Sequence, residues 1–162
     1  FGKMYEYAIK LIKKGKAYVC DLSPEEFEKY KDAISEPVIR RRAKHAIYED
    51  ARCREAVRVL KAGDIRGFGR LMNEAHISVS RDYEVTGPEL DTLQEEALKL
   101  PGVIGSRMTG GGFGGCTVSI VEEGAVEEFR KKDGDAYLKK IGYPADFYVV
   151  EVGGGPAVLE VL

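Results

Sequence analysis

Five glycines surround a single phenylalanine between Ser106 and Cys116, in the order Ser-Arg-Met-Thr-Gly-Gly-Gly-Phe-Gly-Gly-Cys, and an apolar run follows directly. Glycine reaches positive φ and lets backbone N–H groups converge on a ligand with no Cβ in the way. A glycine run between ordered segments therefore indicates a loop that binds an anion or a phosphate. A tight structural turn between two strands is the alternative.

Other glycine-rich nucleotide motifs do not fit this run. Gly110, Gly112 and Gly115 satisfy G-x-G-x-x-G, but the dinucleotide fingerprint requires a helix to open at the last glycine. The residues from Cys116 to Val121 predict a strand instead. The sequence contains no V-A-I-K, H-R-D or D-F-G element of protein kinases, and no Walker A lysine follows the run.

The ranges 82–91 and 101–116 together closely resemble the C-terminal part of the galactokinase family. The second range is similar to the third sequence motif of the small-molecule kinases, which include galactokinase, homoserine kinase, mevalonate kinase and phosphomevalonate kinase. Residues 41–45 and 69–76 extend the likeness upstream, so that it covers about Leu22 to Leu162. The resemblance implies the C-terminal region of a sugar 1-kinase, with the glycine run beside the nucleotide phosphates.

This resemblance also implies roles for individual residues. Arg107 would contact either phosphate or a neighbouring domain through an ion pair, and we expect Phe113 to pack inward and lock the loop. No catalytic residue and no metal ligand is assigned in this chain. The residues that would support the phosphate loop are Ser106, Thr109, Gly110, Gly111, Gly112, Gly114 and Gly115.

Galactokinases carry their sugar signature, their nucleotide loop and their catalytic aspartate in the N-terminal half, and none of these motifs is found here. The resemblance therefore implies galactose, ATP and Mg in a complete enzyme, with a separate N-terminal kinase half as a possible partner. We expect the chain to be inactive without that half, because phosphoryl transfer needs positioning and charge neutralisation together. A non-catalytic binding or complementation module and an incidental fusion fragment are the alternatives.

The first 22 residues have a different likeness. They resemble a short piece of the catalytic region of glutaminyl-tRNA synthetase, although neither H-I-G-H nor K-M-S-K-S occurs in the chain. We therefore divide the chain into an N-terminal helix, 1–22, and a galactokinase-like domain, 23–162.

Composition predicts an ordinary globular protein. The 25 basic and 27 acidic residues give a net charge of −2, which predicts no general attraction to nucleic acid or to a membrane. Cys20, Cys53 and Cys116 are widely separated, which favours a reducing, cytoplasmic location over disulfides or a zinc site. We expect Cys116 to be a small residue that begins a buried strand.

Helices precede strands along the chain, so an α+β fold is predicted. Gly15 should end a first helix at 3–14, and Ser23 should cap a second that begins at Pro24. Further helices are expected at 36–62, at 64–79 with Asp64 as its cap, at 88–100 and at 124–132. Strands are expected at 103–108, 116–121, 147–152 and 158–162, with a hairpin connection at Gly153-Gly154-Gly155-Pro156. Galactokinase resemblance implies a ferredoxin-like antiparallel sheet with helices on one face.

Four other polar residues are candidates for chemistry. His45 and His76 flank apolar helical stripes, where a structural role is expected. Asp82 and Glu84 lie in a predicted turn without an identifiable acid or base partner, so solvation or capping is expected for them.

Overall fold

The structure is a computed structural model that describes residues 1–154. Short 3₁₀ turns occur at Lys31–Ala33 and Glu123–Ala125, and a π-helical turn at Val79–Tyr83. The predicted α+β class, with helices before an antiparallel sheet, is confirmed. In chain order the main elements are α1 (Gly2–Lys13), α2 (Pro24–Tyr30), α3 (Pro37–Lys61), α4 (Ile65–Ser78), α5 (Pro88–Ala97), β1 (Val103–Thr109), β2 (Cys116–Val121) and α6 (Val126–Ile141).

The helix ends follow the expected local chemistry. Ser23 accepts a hydrogen bond from the Glu26 N–H at 3.2 Å, and the Glu26 carboxylate accepts one from the Ser23 N–H at 2.9 Å, which completes a capping box at α2. Asp64 caps α4 by accepting from the Gly67 N–H at 2.7 Å. Gly15 and Gly63 adopt positive φ just beyond α1 and α3.

Helix α4 lies directly against the backbone of β1. Gly69 of α4 meets Gly105 of β1, and a Cβ on Gly69 would stand 2.1 Å from the carbonyl oxygen of Ile104. The N–H groups of Ser106 and Met108 donate to the side chains of Asn73 and His76, both at 2.9 Å. Helix α4 therefore covers the edge of β1 that faces away from β2 and satisfies donors that a bare edge strand would leave open.

The two strands pair antiparallel, and Ser106 lies opposite Ser119 in the register. Behind them, Val79, Leu90 and Met108 form a buried apolar cluster that joins the end of α4, α5 and β1. This cluster lies beneath the glycine-rich connection between the strands and fixes its base.

Two sequence-based boundaries are corrected. Helix α6 continues to Ile141 beyond the predicted end at residue 132, and Gly134 inside it lies against the ring of Phe147. The predicted strand at 147–152 is wrong, since the segment has no ladder partner among residues 1–154 and exposes Tyr148, Val149 and Val152. The predicted strand 158–162 and half of the glycine-proline connection, residues 155 and 156, lie outside the described residues.

Helix α1 exposes its apolar face. It contains no buried residue, and Met4, Tyr5, Tyr7 and Leu11 are all exposed. Within residues 1–154 no helix combines the length and apolar character needed to cross a membrane.

We expect deletion of residues 1–16 to change the free energy of unfolding by less than about 1 kcal/mol, because almost no apolar surface of α1 is buried against the remainder. Denaturant unfolding of the two chains measures the difference. Phe27→Ala, at a side chain 3% exposed, is the positive control and should cost about 3 kcal/mol. A loss above about 2 kcal/mol on deletion would show that α1 belongs to the core.

Candidate active-site loop

The connection between β1 and β2 is a tight hairpin loop, residues 110–115, which we call the glycine loop. Gly110, Gly112 and Gly114 have φ of +78°, +82° and +79°, and Phe113 has φ of +54°. Left-handed backbone at these positions is the physical reason for the repeated glycines, because a Cβ there is disfavoured. Phe113 adopts the same conformation without that freedom.

Two hydrogen bonds fix the glycine loop on the segment that precedes α5. The Phe113 N–H donates to the Val85 carbonyl at 2.7 Å, and the Gly114 N–H donates to the Thr86 carbonyl at 3.4 Å. A Cβ on Gly112 would stand 2.1 Å from the Val85 oxygen, so only glycine permits this approach. The loop is therefore docked, in contrast to a free linker.

The first half of the loop is open. A Cβ on Gly110 or on Gly111 would meet no atom within 4 Å, and Gly111 does not have positive φ. Among residues 1–154, the N–H groups of Gly111 and Gly112 donate to no hydrogen-bond acceptor. Gly111 is exposed and Gly112 is half-buried, and their N–H groups on this fixed backbone can donate to an anion, as successive N–H groups in turns commonly do.

The segment that holds the loop is itself held by an arginine pair on α3. Arg41 donates to both oxygens of Glu84 at 3.1 Å, and Arg42 donates to one of them at 2.8 Å. The hydrogen bond from Arg41 is the main reason that the pKa of Glu84 lies below its usual value. Glu84 has φ of +59°, and Asp82 pairs with Lys44 at 3.3 Å. Both carboxylates therefore anchor this turn through ion pairs.

Ser106 and Thr109 occupy different environments in β1. Ser106 is fully buried, and its hydroxyl accepts a hydrogen bond from the Ser119 hydroxyl at 2.8 Å. Thr109 is exposed at the end of the strand, next to Gly110. Ser106 therefore lies in the base of the hairpin, whereas Thr109 lies at the loop.

Arg107 points toward α3 in the structure. Its guanidinium lies 3.3 Å from the Glu49 carboxylate, and its Nε donates to the Met108 carbonyl at 3.1 Å. This ion pair with Glu49 lies within the chain and ties β1 to α3, whereas contact of Arg107 with phosphate or with a neighbouring domain stays a prediction.

His76 is buried and structural in its contacts, with its ring nitrogens engaged on both sides. Nδ1 accepts the Met108 N–H at 2.9 Å, so Nε2 carries the proton and donates to Asp91 at 3.1 Å. Burial lowers the pKa of His76, which favours this neutral form. His45 contacts the Ser78 hydroxyl through Nδ1 at 3.0 Å.

Two expectations about the loop are wrong. Phe113 does not pack inward, and 81% of its surface is exposed, because its own N–H holds the backbone against Val85 with the ring outside. Cys116 begins β2 as expected but is exposed, since it stands at the mouth of the hairpin.

The sequence of this chain is similar to those of known kinases. Residues 56–134 match the family described as GHMP kinases C terminal. A galactokinase of Clostridium perfringens strain SM101 is 53% identical over 87% of this chain and 36% of its own length. The galactokinase of Clostridium acetobutylicum is 53% identical over 93% of this chain and 39% of its own.

A solved structure agrees with these sequence matches. The crystal structure of Lactococcus lactis galactokinase complexed with galactose superimposes with a TM-score of 0.82 at 44% identity, and covers 88% of this chain and 38% of that one. The chain is homologous to the C-terminal part of galactokinases. It spans little more than a third of the length of these relatives.

A second family also matches this galactokinase homologue. Residues 1–68 match the catalytic domain of class I tRNA synthetases (E and Q), which overlaps the kinase match. The Clostridium acetobutylicum alignment covers 93% of the chain and so also reaches into residues 1–22. The N-terminal segment is therefore similar to both families.

The sequence did not indicate which residues hold the glycine loop in place. Val85 and Thr86 act through backbone carbonyls, for which side-chain type gives no signal. Arg41 and Arg42 lie in a segment that carries the galactokinase likeness, but their partner Glu84 is 42 or more positions away and could not be assigned from spacing.

Proposed function

We propose that this chain is the C-terminal region of a galactokinase-type sugar 1-kinase and supplies the glycine loop beside the phosphates of ATP during phosphorylation of galactose. The observation that carries the proposal is the 53% identity to galactokinases across most of the chain. The open backbone at Gly110 and Gly111, in a loop that Phe113 and Gly114 hold in place, supports it, because phosphate needs donors that are already in place.

In this proposal each loop position has a physical task. The amides of Gly111 and Gly112 would donate to phosphate oxygens, with Thr109 and Gly110 at the loop entrance and Gly114 and Gly115 closing the turn. Ser106 supports the hairpin from within. Arg107 holds β1 to α3 through Glu49, so phosphate contact by Arg107 would require that pair to open.

The proposed reaction needs a partner. An N-terminal half would supply the sugar site, the nucleotide loop and the base, which leaves the isolated chain without turnover. ATP and Mg belong to the proposal, but residues 1–154 contain no group of three or more His, Cys, Asp or Glu side chains placed to hold a metal. No step is therefore assigned to a metal held by this chain.

We also propose a cytoplasmic location and the division of the chain into 1–22 and 23–162.

A complementation assay tests the function. The chain is assayed with ATP, magnesium and galactose, first alone and then with the N-terminal part of the Clostridium perfringens galactokinase that the chain does not match. We expect no turnover from the chain alone, because general base and metal contacts each contribute orders of magnitude in rate. Turnover should appear on mixing. Turnover by the chain alone that a Gly112 substitution abolishes would contradict the proposed half enzyme.

The same assay separates the alternatives. Association with the N-terminal half without turnover would indicate a binding or complementation module. Absence of both association and turnover would indicate an incidental fusion fragment, an alternative motivated by the synthetase match at residues 1–68.

A further inference from the structure

An exposed aromatic side chain stands at the tip of the glycine loop. Phe113 exposes 81% of its surface, although phenylalanine ordinarily gains from burial. Its φ of +54° is unfavourable for a residue with a Cβ, while glycines occupy the positions on both sides. Exposure and backbone strain together at one residue are typical of a position kept for contact with something else.

The sequence around Phe113 is free of charge, although the carboxylate of Glu89 lies near Gly114 in the structure. No charged residue occurs between Arg107 and Glu122, in a chain that is 32% charged overall. Within this run Cys116 and Val118 are exposed beside the loop. Protein interfaces are depleted of charge at their centres and enriched in aromatic side chains, and a few buried aromatics supply most of the binding energy.

The shape at Phe113 favours a protein partner over a small ligand. Ligand sites are concave, whereas this ring projects from the tip of a hairpin. The backbone beneath it is rigid, because the Phe113 and Gly114 N–H groups are bound to Val85 and Thr86. A rigid projecting ring is suited to insert into a pocket on another surface.

We infer that Phe113 is the anchor by which this chain binds the N-terminal half of a galactokinase, its ring filling an apolar pocket on that half. The partner is inferred from the relatives. This chain matches only 36% of the length of the Clostridium perfringens enzyme, and the remainder of that enzyme must contact the C-terminal part. The inference rests on the proposed function and adds the residue that makes the contact.

The test compares Phe113→Gly with wild type in binding to the purified N-terminal part of the Clostridium perfringens galactokinase by calorimetry. Glycine removes the ring, keeps the N–H that binds Val85 and relieves the left-handed backbone. We expect a midpoint of thermal unfolding at or above that of wild type and a dissociation constant raised about 30-fold or more, as for a central aromatic anchor. Tyr18→Ala, at a tyrosine that is 83% exposed, is the matched control and should leave the dissociation constant unchanged.

The possible outcomes separate this inference from the proposed function. Turnover on mixing with equal affinity of Phe113→Gly and wild type would overturn the anchor and leave the kinase proposal standing. If Phe113→Gly binds the N-terminal part as tightly as wild type but has a raised KM for ATP or galactose, the anchor is also overturned and the ring contacts the substrate instead. If wild type shows neither association nor turnover, both proposals fail.

Discussion

Between pH 4 and pH 8 the effect of Asp133→Asn on the free energy of unfolding is expected to become more favourable by about 4 kcal/mol. Asp133 is 2% exposed in α6, and its Oδ1 has no hydrogen-bond partner among residues 1–154. Burial, with a smaller contribution from the charge of Glu96, raises the pKa of Asp133 from 3.8 to about 7. The folded chain therefore favours the neutral acid.

The pH dependence gives this prediction its sign. Because the folded pKa is raised, the contribution of the neutral acid is complete below the unfolded value of 3.8 and is lost as pH rises toward about 7. The effect of Asp133→Asn on stability should be least favourable at pH 4, become more favourable by about 1.4 kcal/mol for each pH unit between the two pKa values and level off above pH 7. Urea unfolding at pH 4, 6 and 8 measures it.

Asp135→Asn provides the control for Asp133, since its carboxylate lies on the same helix, is 69% exposed and pairs with Lys131. Its effect on stability should stay constant from pH 6 to pH 8. If the effect of Asp133→Asn on the free energy of unfolding is also constant from pH 6 to pH 8, Asp133 is charged in the folded chain.

Two adjacent glycines should respond differently to the same substitution. Gly112→Val should destabilise the chain by about 3 kcal/mol, because the new side chain meets the Val85 carbonyl and the residue has φ of +82°. In Gly111→Val the new side chain lies in open space and residue 111 does not have positive φ, so stability should change little. In the complemented kinase Gly111→Val should still lower kcat about 100-fold, since displacing the phosphate by about 1 Å has that effect.

Steady-state kinetics with each substrate varied separately checks the glycine prediction. The apparent affinity for ATP should fall together with kcat, while galactose affinity stays constant, because the loop is proposed to act on phosphate. Unchanged kcat in folded Gly111→Val would reduce the glycine loop to a structural turn, and a selective loss of galactose affinity would assign the loop to the sugar.

Local sequence signals predicted the local structure of this chain. The capping box at Ser23, the cap at Asp64 and the strand–glycine–strand pattern before Val121 each involve residues within a few positions of one another. Hydrogen bonds over such short separations depend on residue type and spacing, which are visible in the sequence. For the same reason the α+β class and the kinase resemblance follow from the order of the residues alone.

Long-range packing decided the features that local signals could not supply. Phe113 was expected inside and lies outside, because the carbonyl of Val85, 28 positions earlier, takes its N–H. Asp133 lies between Phe129 and Tyr137 on the buried face of α6, where the sequence shows only a polar residue in a charged segment. The sequence by itself determined the elements and the loop, whereas tertiary packing determined which side chains are exposed, buried or shifted in pKa, because those properties depend on neighbours that folding brings from distant positions.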